Sequence, residues 1–150
     1  MIIDFDELKS IHSSEVFAII ELIETLGAPH WSLQQLTSEL ESNLCLGLRR
    51  EKHELMAFII YKQAVPGCFE ISYLAVSREH QRRGLMTKLF NEFLRRINRA
   101  ESKEKEIWLE VHEKNVAGIQ FYEKFGFQVV GRRLKYYSDG GTAKLYSLKI

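Results

Sequence analysis

The chain has 150 residues, 45% of them hydrophobic and 27% charged, the size and make-up of one soluble globular domain with a sizeable core. Its 21 basic and 20 acidic residues leave a net charge of +1, which gives no electrostatic reason to expect nucleic acid or an anionic membrane as the main partner. The longest apolar stretches, such as Leu55 to Tyr61, are far too short to span a bilayer. Asp4, Asp6 and Glu7 stand where a secretory leader would be basic and then apolar, so a cytoplasmic protein is expected.

In chain order, Ser13-Ser14-Glu15 reads as a helix start, with Val16, Ile19, Ile20 and Ile23 at helical spacing and Gly27 and Pro29 as the stop. Ser32 opens a second helix, with Leu33, Leu36 and Leu40 on one face. Leu44 to Arg49 and Leu55 to Gln63 read as strands joined by the charged residues 50–54, and Pro66-Gly67 turns the chain into a third strand, Phe69 to Val76. A polar loop, Ser77 to Arg83, leads through Gly84 into an amphipathic helix that runs to about Ala100 and carries Leu85, Leu89, Phe93, Leu94 and Ile97. A strand from Glu106 to Val111, a helix from Asn115 to Phe125, and a left-handed cap at Gly126 follow. The next strand starts at Phe127 to Val130 and extends towards Tyr137; Asp139-Gly140-Gly141 turns into the last, Ala143 to Ile150. Helices interleaved with strands and hairpins predict a single α/β domain over residues 1–150, with one mixed sheet and helices on both faces.

Cys45 and Cys68 lie in apolar, strand-like contexts and are expected to be buried, reduced thiols. His12, His53 and His80 read as surface residues. No His, Cys, Asp or Glu set has metal-ligand spacing, so no metal is expected.

The stretch from Leu74 to Met86 carries the most chemistry. A strand, a short polar loop and a glycine at a helix entrance place unpaired N–H groups and a partial positive charge together, a seat for pyrophosphate. Gly84 lets the backbone approach the anion without a Cβ in the way. Arg78, Arg82 and Arg83 add positive charge. Neither Gly-Lys-Ser/Thr nor a three-glycine dinucleotide fingerprint is present. Taken alone, this stretch also fits a helix that merely starts with a glycine on a basic surface.

Gln81-Arg82-Arg83-Gly84-Leu85-Met86 resembles the Gln/Arg-x-x-Gly-x-Gly/Ala signature of the GNAT superfamily of N-acetyltransferases. Leu109-Glu110-Val111, then Asn115, then Phe121-Tyr122 and Gly126-Phe127 match its second half in order and spacing. Within the superfamily the chain looks most like the bacterial ribosomal-protein alanine N-acetyltransferases, through His30-Trp31-Ser32, the pair Tyr136-Tyr137 and the turn Asp139-Gly140. Met86 departs from the usual Gly or Ala, and Thr142-Ala143 from the usual Asp-Ala.

This resemblance implies a GNAT-like, mostly antiparallel mixed sheet and acetyl-coenzyme A as co-substrate. It implies cofactor contacts from Leu74, Ala75, Val76, Gln81, Arg82, Arg83, Gly84, Leu85, Met86, Thr87 and Asn115. For Asn115, a plain helix cap is the alternative. It implies that Glu110 helps take the proton from the acceptor amine and that Tyr122 donates to the departing sulfur; a solvated strand residue and a core aromatic are the respective alternatives. Glu70 competes as the base, since it looks like the glutamate of the superfamily's lysine acetyltransferases; water and His112 are further alternatives. On strand parity Glu70 goes with Leu74 and Val76, and Glu110 with Trp108 and His112.

Trp31, Tyr136 and Tyr137 are candidates for the acceptor groove, with strand packing as the other reading of the tyrosines. Acidic residues such as Glu39, Glu41 or Asp139 would favour a basic residue early in a peptide acceptor. The expected acceptor is a protein N-terminal α-amine. The alternatives are a small amine (polyamine, amino acid or aminoglycoside) and a non-catalytic acyl-coenzyme A-binding module. Glu110 and Tyr122 argue against the last, since a binder needs neither.

Overall fold

The computed structural model describes residues 3–7, 18–23, 33–51 and 54–150. The helix signals at residues 13–16, 27, 29 and 32, together with His12, Trp31 and His53, lie outside the described residues. Two compact units emerge, one from residues 1–62 and 73–100, the other from residues 63–72 and 101–150. Two strands, β3 (Glu54–Val65) and β4 (Cys68–Val76), run from one unit into the other.

In the first unit the strands follow the order β1-β2-β3-β4, with β1 at Ile3–Glu7 and β2 at Leu44–Arg50. β1 was not expected as a strand. It pairs antiparallel with β2 from Ile3 opposite Arg50 to Glu7 opposite Leu46. β2 and β3 form a hairpin with a bulge at Leu48/Arg49. Every residue of β3 from Leu55 to Tyr61 is buried, so this apolar run lacks the alternation of a half-exposed strand. Helical residues 18–23 (the described part of α1), α2 (Leu33–Ser42) and α3 (Leu85–Ile97) complete the unit. Ile19, Leu22, Ile23, Leu36 and Leu40 join Cys45, Leu55, Phe58, Ile60 and Ala75 in one cluster, as the helical spacing of the leucines and isoleucines requires. From α3, Leu89, Phe90 and Phe93 are fully buried, and Phe93 meets Tyr61 edge to face at 4.8 Å.

In the second unit the order is β4-β5-β7-β6. β5 (Glu106–His112) pairs parallel with β4, Glu70 lying opposite Trp108. It pairs antiparallel with β7 (Ala143–Lys149) along its whole length, and β6 (Gln128–Arg133) pairs antiparallel on the other side of β7. The sheet ladders are therefore mixed and mostly antiparallel, as expected. α4 spans Val116–Lys124; Asn115 is its N-cap and Phe125 its C-cap. The helix ends with Phe127 N–H on the Tyr122 carbonyl and Gly126 N–H on the Glu123 carbonyl, Gly126 having φ +97°.

Three expectations need correction. β6 stops at Arg133, and Tyr136 and Tyr137 lie in the following turn. Cys68 is only partly buried, whereas Cys45 is buried as expected. His80 is a buried residue, 4% exposed, because the short 3₁₀ turn Arg78–His80 folds its ring inward. Among the described residues, no helix is long and apolar enough to cross a membrane.

On α3, Glu92 accepts hydrogen bonds from Arg95 at 2.8 and 2.6 Å and from Arg96 at 2.9 Å. The Arg95 bonds hold its carboxyl at about 2, down from the ordinary 4.5. A depressed carboxyl contributes stability that is present above the unfolded value and lost as pH falls through the folded one. Glu92→Gln is therefore expected to unfold at lower urea than the parent at pH 7. The gap should close as pH falls from 4.5 towards 2, followed by urea midpoints across that range.

Candidate active site

Two constellations of chemistry-bearing residues stand out, one in each unit, and each is built by its own local structure.

In the first unit, β4 ends at Val76 and the chain turns through Ser77 to Gly84 into α3. Gln81 closes the turn by donating its side-chain amide to the Val76 carbonyl at 3.1 Å. Ser77 Oγ lies 2.5 Å from Nδ1 of His80, and both side chains are buried. Arg82 has φ +63° and Gly84 φ +74°, so the last residues before the helix curl in the left-handed region. Gly84 caps α3 without a side-chain bond, and the first helical bond is Lys88 N–H to its carbonyl at 3.1 Å. The N–H groups of Leu85, Met86 and Thr87 have no hydrogen-bond partner among the described residues. A Cβ on Gly84 would meet nothing within 4 Å, so the approach to these donors is open. Arg78, Arg82 and Arg83 are exposed around it, whereas Leu85 is buried and Met86 half-buried. The loop thus presents backbone donors and positive charge to an anion. Leu74 is half-buried and Ala75 and Val76 are buried, which leaves mainly their backbone to serve a ligand.

The same turn assembles a group that sequence spacing hid. Glu54, Glu79 and His80 bring one metal-ligand-type atom each within 4.8 Å of one another. Arg50 already neutralises Glu54, at 2.5 Å, and His80 Nε2 lies 3.6 Å from the same carboxylate. Glu54 is thus already paired with Arg50, and Glu79 is exposed.

In the second unit, β5 alternates cleanly: Ile107, Leu109 and Val111 are buried, and Trp108, Glu110 and His112 face the other way. Glu70 is level with Trp108 across the parallel ladder, and this register, which parity within each strand left open, puts both candidate bases on one face. Glu110 is ion-paired with Arg133 at 3.0 Å. Arg133 also lies over the ring of Tyr136, 5.4 Å from its centroid. Tyr136 meets Tyr137 edge to face at 5.2 Å, and Tyr137 stacks on the His112 imidazole at 4.7 Å. Had β6 continued, the pleat would have sent the two tyrosines to opposite faces; the turn at Lys135, φ +52°, brings them together. Burial pushes the Tyr137 hydroxyl up, and the nearby Glu110 charge adds to the effect.

Asn115 caps α4 by accepting from Gly118 N–H at 3.0 Å, so the capping reading holds. Its amide packs so closely over Gly118 that a Cβ there would come within 2.6 Å. Tyr122 is buried between Phe121 and Phe127, each 5.6 Å away ring to ring. Its hydroxyl has no hydrogen-bond partner among the described residues. Tyr146, also buried, donates to Glu123 at 3.0 Å. Burial drives the Tyr122 pKa well above the ordinary 10, so it stays a proton donor.

Comparisons with known proteins show the family and the fold. The acetyltransferase (GNAT) family pattern matches residues 10–127, well over half of the chain. The chain is 36% identical over 72 residues to an N-alpha-acetyltransferase of Saccharolobus solfataricus, a match spanning 48% of this chain and 42% of that protein. Its structure superposes on the ribosomal-protein-S18-alanine N-acetyltransferase from Escherichia coli with a TM-score of 0.85 and 27% identity, covering 99% of this chain and 94% of that one. Ard1 from Thermoplasma volcanium has the same fold, with a TM-score of 0.82 at 20% identity over 100% and 99% of the two chains.

Proposed function

This chain belongs to the acetyltransferase (GNAT) family, and we propose that it moves the acetyl group of acetyl-coenzyme A to the α-amine of a protein or peptide N-terminus. The observation that carries the chemistry is the Tyr122 hydroxyl. A buried hydroxyl normally finds a partner, and this one has none among the described residues. Kept protonated by burial, it is a donor in want of an acceptor, which a departing thiolate supplies.

In the reaction the amine nitrogen attacks the thioester carbonyl, the carbon–sulfur bond breaks, and the proton lost by the amine is balanced by one gained at sulfur. Tyr122 delivers the proton to sulfur. Glu110 takes the amine proton through water: it belongs to the Arg133–Tyr136–Tyr137 cluster, whereas Glu70 lies back at the level of Trp108. An α-amine is already about one-tenth neutral at pH 7, while a lysine is neutral in under about one part in a thousand, so a modest base suffices for an N-terminus. Pyrophosphate sits on the N–H groups of Leu85, Met86 and Thr87 with Gly84 and the arginines around it, and Gln81 keeps the loop in shape. Asn115 presents its remaining amide to the pantetheine arm. Tyr136 and Tyr137 contact the acceptor. An alanine N-terminus is the reading supported by the likeness to the Escherichia coli enzyme, whose acceptor is a ribosomal protein; the same likeness supports a cytoplasmic location.

Three experiments test this. Gly84→Asp sets a carboxylate against the phosphate seat and should abolish acetyl-coenzyme A binding in calorimetry while circular dichroism stays unchanged. Tyr122→Phe should lower kcat by about 10²–10⁴-fold with cofactor affinity nearly unchanged. Because burial raises its pKa, the parent should show no alkaline loss of rate from Tyr122 up to about pH 10. Finally, a short peptide beginning with Ala should turn over faster than the same peptide blocked at its N-terminus and carrying a free lysine. Preference for the blocked peptide, rising steeply with pH, would move the acceptor to lysine and the base to Glu70. Turnover of small amines alone would make it a small-molecule enzyme, and binding without any turnover an acyl-coenzyme A-binding module.

A further inference from the structure

Both ring nitrogens of His112 are engaged. Its Nε2 lies 2.8 and 3.1 Å from the two carboxylate oxygens of Asp139. Its Nδ1 accepts the backbone N–H of Lys114 at 3.0 Å. A backbone donor at Nδ1 leaves the ring proton on Nε2, where it is given to Asp139. Its one lone pair is therefore already used, and one ring face is covered by Tyr137.

Asp139 in turn shapes the hairpin that carries the tyrosine pair. Its Oδ1 accepts Gly141 N–H at 2.8 Å, Gly140 N–H bonds the Tyr137 carbonyl at 2.9 Å, and Tyr137 N–H bonds the Gly141 carbonyl at 3.1 Å. Thr142 is tied to the same end of β5, its carbonyl accepting Glu113 N–H at 2.9 Å and its N–H reaching the Glu113 carboxylate at 3.2 Å. The imidazole lies directly over Gly141: a Cβ there would overlap its Nε2 and Cε1 and come within 2.8 Å of Asp139 Oδ1. Only glycine fits under the clamp.

We propose that His112 is a positioning residue: clamped to Asp139 over Gly141, it locks the Tyr136–Tyr137 wall and so sets acceptor affinity, while carrying no proton in the reaction. This assignment rests on the reading of the two tyrosines as part of the acceptor site. It removes His112 from the candidate bases. It also commits Asp139 to the hairpin, so Asp139 is not the group that would recognise a basic residue in the acceptor.

The test compares His112→Ala, Asp139→Ala, their double variant, Gly141→Ala and His112→Gln with the parent, using the Ala-initiated peptide. Each disrupting variant should raise the peptide KM about ten-fold or more and leave kcat at saturating peptide within about three-fold. The double variant should be no worse than the worse single one, as expected of two partners in one bond. His112→Gln, which keeps a side-chain donor for Asp139, should recover much of the affinity. Cofactor affinity, measured by calorimetry, should be unchanged in all and serves as the check on folding. A fall in kcat of about 10²-fold with KM unchanged in His112→Ala would overturn the proposal and make His112 a proton carrier.

Hydrogen exchange at the Gly141 amide reads the clamp without any acceptor. Protection lost in both single variants upholds it, and protection retained refutes it. That arm also separates the two ideas. If the parent acetylates no peptide or amine, the functional reading fails, yet Gly141 exchange still decides whether the clamp exists.

Discussion

The bulge-free pairing of β5 with β7 is the constraint on which the chemistry of the second unit depends. Because the ladder runs without a slip from Glu106 opposite Lys149 to His112 opposite Ala143, Trp108, Glu110 and His112 all stay on one face. A one-residue slip would turn Glu110 and His112 inward and send Leu109 and Val111 to solvent. The slip in this unit's ladders is placed on the far strand, between Val129 and Gly131 of β6. That bulge puts Arg133, like His112, opposite Ala143, and from there Arg133 reaches diagonally to Glu110.

Among the described residues, several buried polar groups hold structure and the Tyr122 hydroxyl does not. Ser77 and His80 satisfy each other in the turn before α3, and Tyr146 finds Glu123. These are the arrangements expected of buried polar atoms, since leaving one unpaired costs about 1–3 kcal/mol. Tyr122, packed between Phe121 and Phe127, breaks the pattern. A group kept in that state by the fold, on a helix whose start is set by the Asn115 cap, suits chemistry in which its partner arrives with the substrate.

The tyrosine hairpin shows how a positioning network can look catalytic when read by residue type. A histidine hydrogen-bonded to an aspartate is the usual arrangement of a general base. Here the third contact, Lys114 N–H on Nδ1, takes the lone pair such a base would need. The histidine becomes a brace for Tyr136 and Tyr137, whose mutual packing depends on the chain leaving β6 at Arg133.

Period-3.6 and period-2 patterns determined most of the elements directly: the leucines and phenylalanines of α3, the alternation of β5, and the Asn115 to Gly126 limits of α4 are all legible because each reflects a local preference. The turn through Gly84 into α3 was legible for the same reason, since glycine at this left-handed helix entrance is a backbone requirement. What only tertiary structure decided were pairings between residues far apart in the chain. β1 has the alternation of a strand, but only the edge of β2 makes it one. His80 has a polar, surface-like sequence context and is buried because Ser77 and Glu54 receive its ring. The end of β6, the meeting of Glu110 with Arg133 and the clamp of His112 on Asp139, 27 residues apart, depend on strand register. Register is set by the summed burial of whole strands, and no single stretch of sequence contains that sum.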